Sequence, residues 1–358
     1  CWGGVDELKQ TLARFVGLPD ASHVLLAGRS SNLMKVAART LVRAGQSTLV
    51  TDLTWPSYQR ILHRAARQWS GRIERLPIRA GILSGNLSVI EVVNLIARQV
   101  QRTACRGLLL PAVSHDGIRL PIAEICRAIR RFCPGVFVAI DGSQAMGQVP
   151  TNLTDVPCDM FFGGCHKWLG AYLPLGVAFF ARRSAPASNW ECHADPLSSF
   201  LYGIESERPP RFTETVNVSP LFSCRGALED LALGEAQANT LQRRRARAEM
   251  MVRIGQLAGW TPLLPDDGFR SAAILLQSTS SAIRQLNPHE LRERFHKLSV
   301  ALTCYQGGVI RLSAPSKPLS THEVGALIQA LVLVQARATR SIPQPDQVLY
   351  AEATAQMA

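Results

Sequence analysis

Two charged residues lie in apolar parts of the sequence, where an unpaired charge is costly. Asp141 ends the apolar run 138–140, and Lys167 follows the apolar, glycine-containing run 160–165. A carboxylate at the end of a buried strand needs a partner, and a lysine between apolar strands needs its amine neutral or covalently used. Pyridoxal 5'-phosphate (PLP) uses both groups, because it forms a Schiff base with a lysine and needs an acid beside its pyridine nitrogen. The pair therefore predicts a PLP site.

The segments around these two residues resemble those of a known family. Residues 141–144 (Asp-Gly-Ser-Gln) and 166–170 (His-Lys-Trp-Leu-Gly) are similar to motifs of the class V aminotransferase family, which includes cysteine desulfurases, kynureninase and isopenicillin N epimerase. The resemblance extends from about residue 5 to residue 336. It implies a fold type I PLP-dependent enzyme, with a mostly parallel, seven-stranded type of sheet and helices on both faces in a large α/β domain. It further implies a smaller α+β C-terminal domain, an amino-acid substrate, and a homodimer with active sites near the subunit interface.

The resemblance assigns roles to four residues of these motifs. Lys167 corresponds to the Schiff-base lysine, which later moves the α-proton, and Asp141 corresponds to the partner of the pyridine nitrogen. Gln144 is placed to hydrogen-bond the phenolic oxygen of the ring, and His166 occupies the position of a phosphate contact. The alternative for these residues is a surface Lys-His pair and an aspartate that caps a turn.

The phosphate group of the cofactor is expected at the start of a helix. Residues 28–32 (Gly-Arg-Ser-Ser-Asn) precede an apolar helical pattern and resemble the phosphate-binding turn of the family, so Ser30 and Ser31 would offer amides and hydroxyls. A simple N-cap is the alternative for this turn. The family often has Ser or Thr three residues before the lysine, where this chain has Gly164. Thr215 aligns with a segment that reaches the phosphate of the neighbouring subunit.

Three further positions are assigned to the cofactor ring and the substrate by the same resemblance. Trp55 is the candidate for stacking on the ring, with a core tryptophan as the alternative. Arg311, in a C-terminal Arg-x-Ser segment, is the candidate that binds the substrate carboxylate through its guanidinium, with a surface arginine as the alternative. Ser114, with His115 beside it, occupies the place where the family often has an asparagine near the ring oxygen, and this departure is consistent with a different substrate.

Several reactions begin from this set of residues. Transamination or β-elimination of C–S lyase type on an amino acid or its conjugate is the favoured interpretation, and epimerisation remains open. A cysteine desulfurase would need a nucleophilic cysteine on a mobile loop, and the candidate Cys304 lies only seven positions before Arg311. A non-catalytic binding protein is the alternative of another class, and the intact lysine-site motifs argue against it.

The hydrophobic pattern predicts elements that would position these residues. Short apolar segments at about 23–27, 47–52, 107–113, 136–141, 160–162 and 176–181 alternate with amphipathic helical patterns, which predicts a mostly parallel sheet covered on both faces. Catalytic groups of such sheets lie at the carboxyl ends of the strands. The segment 184–220 is irregular, and one long helix is expected at about 228–257. We expect a large PLP-binding domain over residues 1–225, a small C-terminal domain over 226–340 and a tail over 341–358.

Composition narrows the classes of protein. The chain has 358 residues, 47% of them hydrophobic and 18% charged, which excludes disorder as the main state, and its apolar runs are too short to span a membrane. The net charge is +12, but the basic run 242–247 has no interleaved aromatic residues and is typical of a solvated helix face, so no nucleic-acid partner is expected. Nine cysteines without a CxxC pair indicate reduced, mostly structural thiols, no metal site and a cytoplasmic protein. The start of the sequence is expected to be trimmed.

Overall fold

The computed structural model describes residues 4–180, 195–205, 215–231 and 235–339. The chain forms two compact units, one of Cys1–Asn239 with Asp266–Phe269 and the other of Thr240–Pro265 with Arg270–Ala358. The division falls between Asn239 and Thr240, later in the chain than the expected boundary at residue 225.

The N-terminal unit is built on a seven-stranded sheet in the order β1-β7-β6-β5-β4-β2-β3. Its strands are Val24–Ala27 (β1), Ser47–Thr51 (β2), Arg72–Leu76 (β3), Gly107–Pro111 (β4), Phe137–Asp141 (β5), Met160–Gly164 (β6) and Gly176–Phe179 (β7). Only β7 runs antiparallel to its neighbours, β1 and β6, and the other pairings are parallel. The expected mostly parallel sheet of fold type I is confirmed.

Helices cover both faces of this sheet because alternate strand residues point to opposite sides. Leu108 and Leu110 of β4 belong to one apolar core, and Leu109 between them belongs to the other. The unit's helices are Gly4–Phe15 (α1), Ser30–Leu41 (α2), Pro56–Gln68 (α3), Arg79–Leu83 (α4), Val89–Arg102 (α5), Ile122–Phe132 (α6), Pro196–Glu205 (α7) and Ser219–Asp230 (α8). Residues of α2 and α3 fill the core of one face, and residues of α1, α5 and α6 fill the core of the other.

The C-terminal unit is smaller and contains an antiparallel sheet in the order β10-β11-β9-β8. The strands are Trp260–Pro262 (β8), Ala273–Ser278 (β9), Thr303–Tyr305 (β10) and Val309–Ser313 (β11). Helix Glu235–Leu257 (α9) leads into this unit, and Ser281–Gln285 (α10), Pro288–His296 (α11) and Thr321–Thr339 (α12) follow. This arrangement confirms the expected small α+β C-terminal part.

The long helix expected at about 228–257 ends at Leu257 as expected, but it begins only at Glu235. Helix α8 ends at Asp230, and Leu231 has φ −88° and ψ 78°, which lies outside the helical region, so α9 begins as a separate helix. The basic run of α9 is not a uniformly solvated face either. Arg243 and Arg245 are exposed, but Arg244 is only 4% exposed. Arg247 donates from Nη1 to the carbonyl oxygen of Pro315 at 3.1 Å.

The part of the chain that the structure describes contains no helix with the length and apolar character needed to cross a membrane. Within the same residues, no cluster of His, Cys, Asp and Glu side chains is arranged to hold a metal ion. The cysteines among them are free thiols, namely Cys105, Cys126, Cys133, Cys158, Cys165, Cys224 and Cys304.

Candidate active site

One edge of the seven-stranded sheet brings most of the expected residues together. Strands β1, β2, β4, β5 and β6 run in the same direction, so their carboxyl ends lie at the same edge. Ser30 begins α2 after β1, Trp55 precedes α3 after β2, and Ser114 follows β4. Asp141 is the last residue of β5, and Lys167 lies three residues beyond the end of β6.

Asp141 is a buried acid at the centre of this edge. Its side chain is 7% exposed, and its Oδ1 accepts a hydrogen bond from the backbone N–H of Ser143 at 2.9 Å. Burial raises the pKa of Asp141, while the bonds from Ser143 and the charges of Lys167 and His115 partly lower it. A buried acid of this kind gains from a positively charged partner, such as a protonated pyridine nitrogen.

Lys167 is exposed and lies close to Trp55. Its Nζ is 5.7 Å from the centroid of the Trp55 ring, a distance at which a cation interacts with an aromatic face. Trp55 is 40% exposed and so presents part of its ring to solvent. The structure therefore brings the proposed lysine and the proposed stacking residue together, near Asp141.

The two other residues of the lysine-site motifs take separate positions. The indole Nε1 of Trp168 donates to Oε1 of Gln144 at 2.7 Å, and this bond joins the segment after β5 to the segment after β6. Because Oε1 accepts this bond, Gln144 has its NH2 group to donate to a ligand. Burial, followed by the charges of Lys167 and Arg29, lowers the pKa of His166. Its imidazole is therefore mostly neutral at neutral pH.

The start of α2 binds an anionic group of the chain itself. Oδ2 of Asp195 accepts from the backbone N–H of Gly28 at 2.6 Å and from Nδ2 of Asn32 at 2.8 Å. Its Oδ1 accepts from the backbone N–H of Ser198 at 2.9 Å. A carboxylate of the chain itself therefore takes up the Gly28 amide and the Asn32 side chain, beside a helix start where negative charge is favoured.

Ser114 has its hydroxyl engaged within its own turn. It donates to Asp116 Oδ1 and accepts from the backbone N–H of Ile118 at 2.9 Å. Asp116, 3% exposed, also pairs with Arg79, whose Nε lies 2.5 Å from Oδ2. Burial alone would raise the pKa of Asp116, but the bonds from Ser114 and Arg79 outweigh it and the pKa is lowered. Of the residues in this turn, His115 is the one whose charge lowers the pKa of Asp141.

The remaining candidates lie elsewhere along the chain. Thr215 is an exposed residue before α8. Arg311 belongs to β11 of the C-terminal unit, where it lines a cavity of about 490 Å³ with Thr303 and Ser313. Cys304 is the central residue of β10, paired with Ile310, and burial raises the pKa of its thiol to about 12.

The site contains residues that the sequence analysis did not single out. Tyr58 is 1% exposed and donates from its hydroxyl to Ser30 Oγ at 3.0 Å. Tyr58 has the helical spacing of a core residue, and Asp195 lies in the segment expected to be irregular, so neither carries a local signal of function. Asp116 could have been identified from the sequence, because an aspartate soon after a predicted strand indicates a functional position.

The geometry fits PLP at both ends of the cofactor. The acid, the lysine and the aromatic ring suit the pyridine end, and the anion-binding turn suits the phosphate end. The hydroxyl of Ser143 is buried beside the Asp141 carboxylate and the Tyr58 phenol, so a further polar group lies within this end of the site.

Comparison with known proteins identifies the family of the chain. Residues 3–297 match the model of the family described as "Aminotransferase class-V". Isopenicillin N epimerase of Streptomyces clavuligerus is 26% identical over 214 residues, which are 60% of this chain and 51% of that protein. An L-cysteine desulfhydrase-like protein of Epichloe uncinata is 31% identical over 78 residues, 22% of this chain and 17% of that protein. The matches span about half or less of the length of these relatives.

A solved structure shares the fold over most of the chain. A variant of C-DES, with glycine covalently linked to its PLP cofactor, gives a TM-score of 0.73 at 17% identity and covers 92% of this chain and 86% of that one. The expectations of a fold type I enzyme and of PLP as its cofactor are confirmed. The chain belongs to the class V aminotransferase family of PLP-dependent enzymes.

Proposed function

We propose that this enzyme removes the α-proton of an amino-acid substrate and expels a sulfur substituent from the β-carbon. The observation that carries the proposal is the placement of the Lys167 amine beside the Trp55 ring, near the buried Asp141 carboxylate, at the carboxyl edge of the sheet. The desulfhydrase-like relative supports a C–S lyase reaction for this chain. Transamination is the second candidate, and the family's own description favours it.

Each residue has a defined task in this proposal. Bound PLP supplies an electron sink that makes the α-proton of the substrate acidic. Lys167 Nζ takes that proton and holds it, and the Asp141 carboxylate holds the positive charge of the ring nitrogen in place. Trp55 orients the flat ring, and the NH2 group of Gln144 donates to its phenolic oxygen. For Arg311, the role of binding the substrate carboxylate stays a prediction from its Arg-x-Ser segment.

A persulfide-forming desulfurase is less consistent with the structure. Such an enzyme needs a thiolate that moves to the substrate sulfur. Cys304 lies instead within a paired strand, in register with Ile310, and its raised pKa keeps the sulfur protonated. Strand pairing and a protonated thiol both disfavour nucleophilic attack by this residue.

We further propose a cytoplasmic homodimer. The free cysteines among the described residues support a reducing compartment. The exposed position of Thr215 leaves it available to reach the phosphate site of a second subunit.

Product analysis separates the candidate reactions. The PLP-loaded enzyme is incubated with a panel of amino acids that includes cysteine and cystine, with and without a keto-acid acceptor. We expect equal amounts of keto acid, ammonia and sulfur product from a cysteine-type substrate without an acceptor, because β-elimination followed by hydrolysis gives these products. Lys167→Ala should abolish turnover and the absorbance band of the lysine-bound cofactor.

Other product patterns would replace this proposal. Amino-group transfer that requires the acceptor and releases no ammonia would identify an aminotransferase. Alanine together with a persulfide, lost in Cys304→Ala, would identify a desulfurase. Inversion at the α-carbon without any other product would identify an epimerase. A wild-type enzyme that takes up no PLP would rule out all of these reactions.

A further inference from the structure

Tyr58 of α3 is buried, and its phenolic hydroxyl points at the start of α2. Its ring is 1% exposed, packed edge-on against Trp55 with centroids 5.0 Å apart, and tilted against Phe162 at 5.8 Å. Its hydroxyl donates to Ser30 Oγ at 3.0 Å. The phenol therefore links the ring-stacking residue to the first residue of α2.

The hydrogen-bond arrangement decides what Ser30 can offer a ligand. A serine hydroxyl has one proton to donate, and a phosphate dianion can only accept. Because Ser30 Oγ accepts the proton of Tyr58, its own proton remains available for donation to a phosphate oxygen. A chain of hydrogen bonds aligned in this way also strengthens each bond in it.

The phenol stays protonated over the physiological range. Burial, and next the charge of Asp141, raise the pKa of Tyr58 far above its ordinary value. Tyr58 therefore keeps the proton that it donates to Ser30.

Ser30 also lies at an open position in the site. A Cβ atom on Gly164 would come within 3.5 Å of Ser30 Oγ and within 3.0 Å of the His166 ring, so the absence of a side chain at residue 164 keeps this space clear. The Ser30 hydroxyl and the neutral His166 ring thus both lie next to residue 164, beside the start of α2, where an anion is favoured.

We propose that Tyr58 is a positioning residue for the phosphate of PLP, which it serves by fixing Ser30 as a hydrogen-bond donor. The proposal rests on the proposed function, since it requires the phosphate to bind at the start of α2. Tyr58 acts through Ser30 and does not itself touch the cofactor.

The test compares two cofactor forms that differ only in the phosphate group. Dissociation constants of PLP and of pyridoxal, which lacks the phosphate, are measured by quenching of tryptophan fluorescence in wild type and in Tyr58→Phe. We expect Tyr58→Phe to weaken PLP binding about fivefold or more and to leave pyridoxal binding unchanged, because the removed hydrogen bond acts on a charged group. Tyr172→Phe, at a side chain that is 93% exposed, is the matched control and should change neither constant.

A second pair of variants tests the route through Ser30. Ser30→Ala should weaken PLP binding by at least as much as Tyr58→Phe, and the double variant should be no weaker than Ser30→Ala alone. Equal loss of PLP and pyridoxal binding in Tyr58→Phe, additive losses in the double variant, or no loss at all would overturn the inference. Thermal unfolding of each cofactor-free variant checks that it folds. If Tyr58→Phe does not fold, Ser30→Ala tests the same hydrogen bond. Failure of the wild type to bind PLP would instead reject the proposed function.

Discussion

At the scale of single residues, two buried aspartates at the same edge of the sheet have opposite effects on stability. Asp141 has a raised pKa because burial dominates, and Asp116 has a lowered pKa because Ser114 and Arg79 outweigh burial. When the folded pKa is raised, stability falls as pH rises from the unfolded pKa through the folded one. When the folded-state pKa is lowered, the group stabilises the fold at pH values above its unfolded-state pKa. This stabilisation is lost as pH falls through the folded-state pKa.

We therefore expect opposite changes when each aspartate becomes neutral. Asp141→Asn should raise the free energy of unfolding of the cofactor-free protein at pH 7 by roughly 0.5–2 kcal/mol, because a strained functional charge is removed. Asp116→Asn should lower it by about 1–2 kcal/mol, since the bonds to the carboxylate are weakened and the partly exposed Arg79 is screened by solvent. Urea denaturation of both variants measures the two values. A change of the same sign in the free energy of unfolding of both variants would contradict the opposite roles of the two aspartates.

The residues that sequence could identify are those whose chemistry conflicts with their surroundings. Asp141 stands out in the sequence because a charge in an apolar segment needs a partner, and it is indeed buried; Lys167 stands out for the same reason but is exposed in the structure. Tyr58 and Asp195 do not stand out, because Tyr58 contacts Ser30 and Asp195 contacts Gly28 across long stretches of chain. Contacts of this kind exist only after the strands have paired.

At the scale of elements, a buried ion pair links α6 to β5 and to the segment that leads into β6. Arg130 of α6 donates from Nη2 to Asp159 Oδ2 at 2.5 Å and from Nε to the carbonyl of Pro157 at 2.8 Å. The same Asp159 oxygen accepts from the backbone N–H of Val138, in β5, at 2.7 Å. The side chains of Arg130 and Asp159 are 14% and 7% exposed, so loss of one leaves the other as an uncompensated charge.

Asp159→Ala is therefore expected to destabilise the protein by about 3–5 kcal/mol. The matched control lies on the same helix, where Glu124 pairs with Arg127 at 3.4 Å and both side chains are more than half exposed. Glu124→Ala should change stability by less than about 0.5 kcal/mol, because an exposed pair gains little. Chemical denaturation of both variants makes the comparison, and similar values would show that the pair at Arg130 is not a buried anchor.

The sequence predicted the five-residue apolar strands better than the three-residue strands, and it misplaced the start of the long helix α9. The strands Ser47–Thr51 and Phe137–Asp141 lie within their predicted ranges of 47–52 and 136–141, because apolar runs bounded by turns define them. Trp260–Pro262 and Thr303–Tyr305 were not predicted as strands, since three residues give no periodicity. Helix Pro196–Glu205 lies in the stretch expected to be irregular, where serine and proline at its start hide the apolar pattern.

At the scale of the whole molecule, the proposed homodimer must join two chains that each carry a net charge of +12. Like charges oppose association, and salt screens them over a Debye length of about 10 Å at 0.1 M. We therefore expect sedimentation velocity to show a species of twice the 39.1 kDa chain mass, and its dissociation constant to fall as salt is raised. A matched variant changes the exposed Arg243 and Arg245 to Glu, which lowers the net charge by 4, from +12 to +8. The dissociation constant of its dimer should depend less on salt than that of the wild type. A chain that stays monomeric at every concentration, or a dimer that salt dissociates, would contradict this picture.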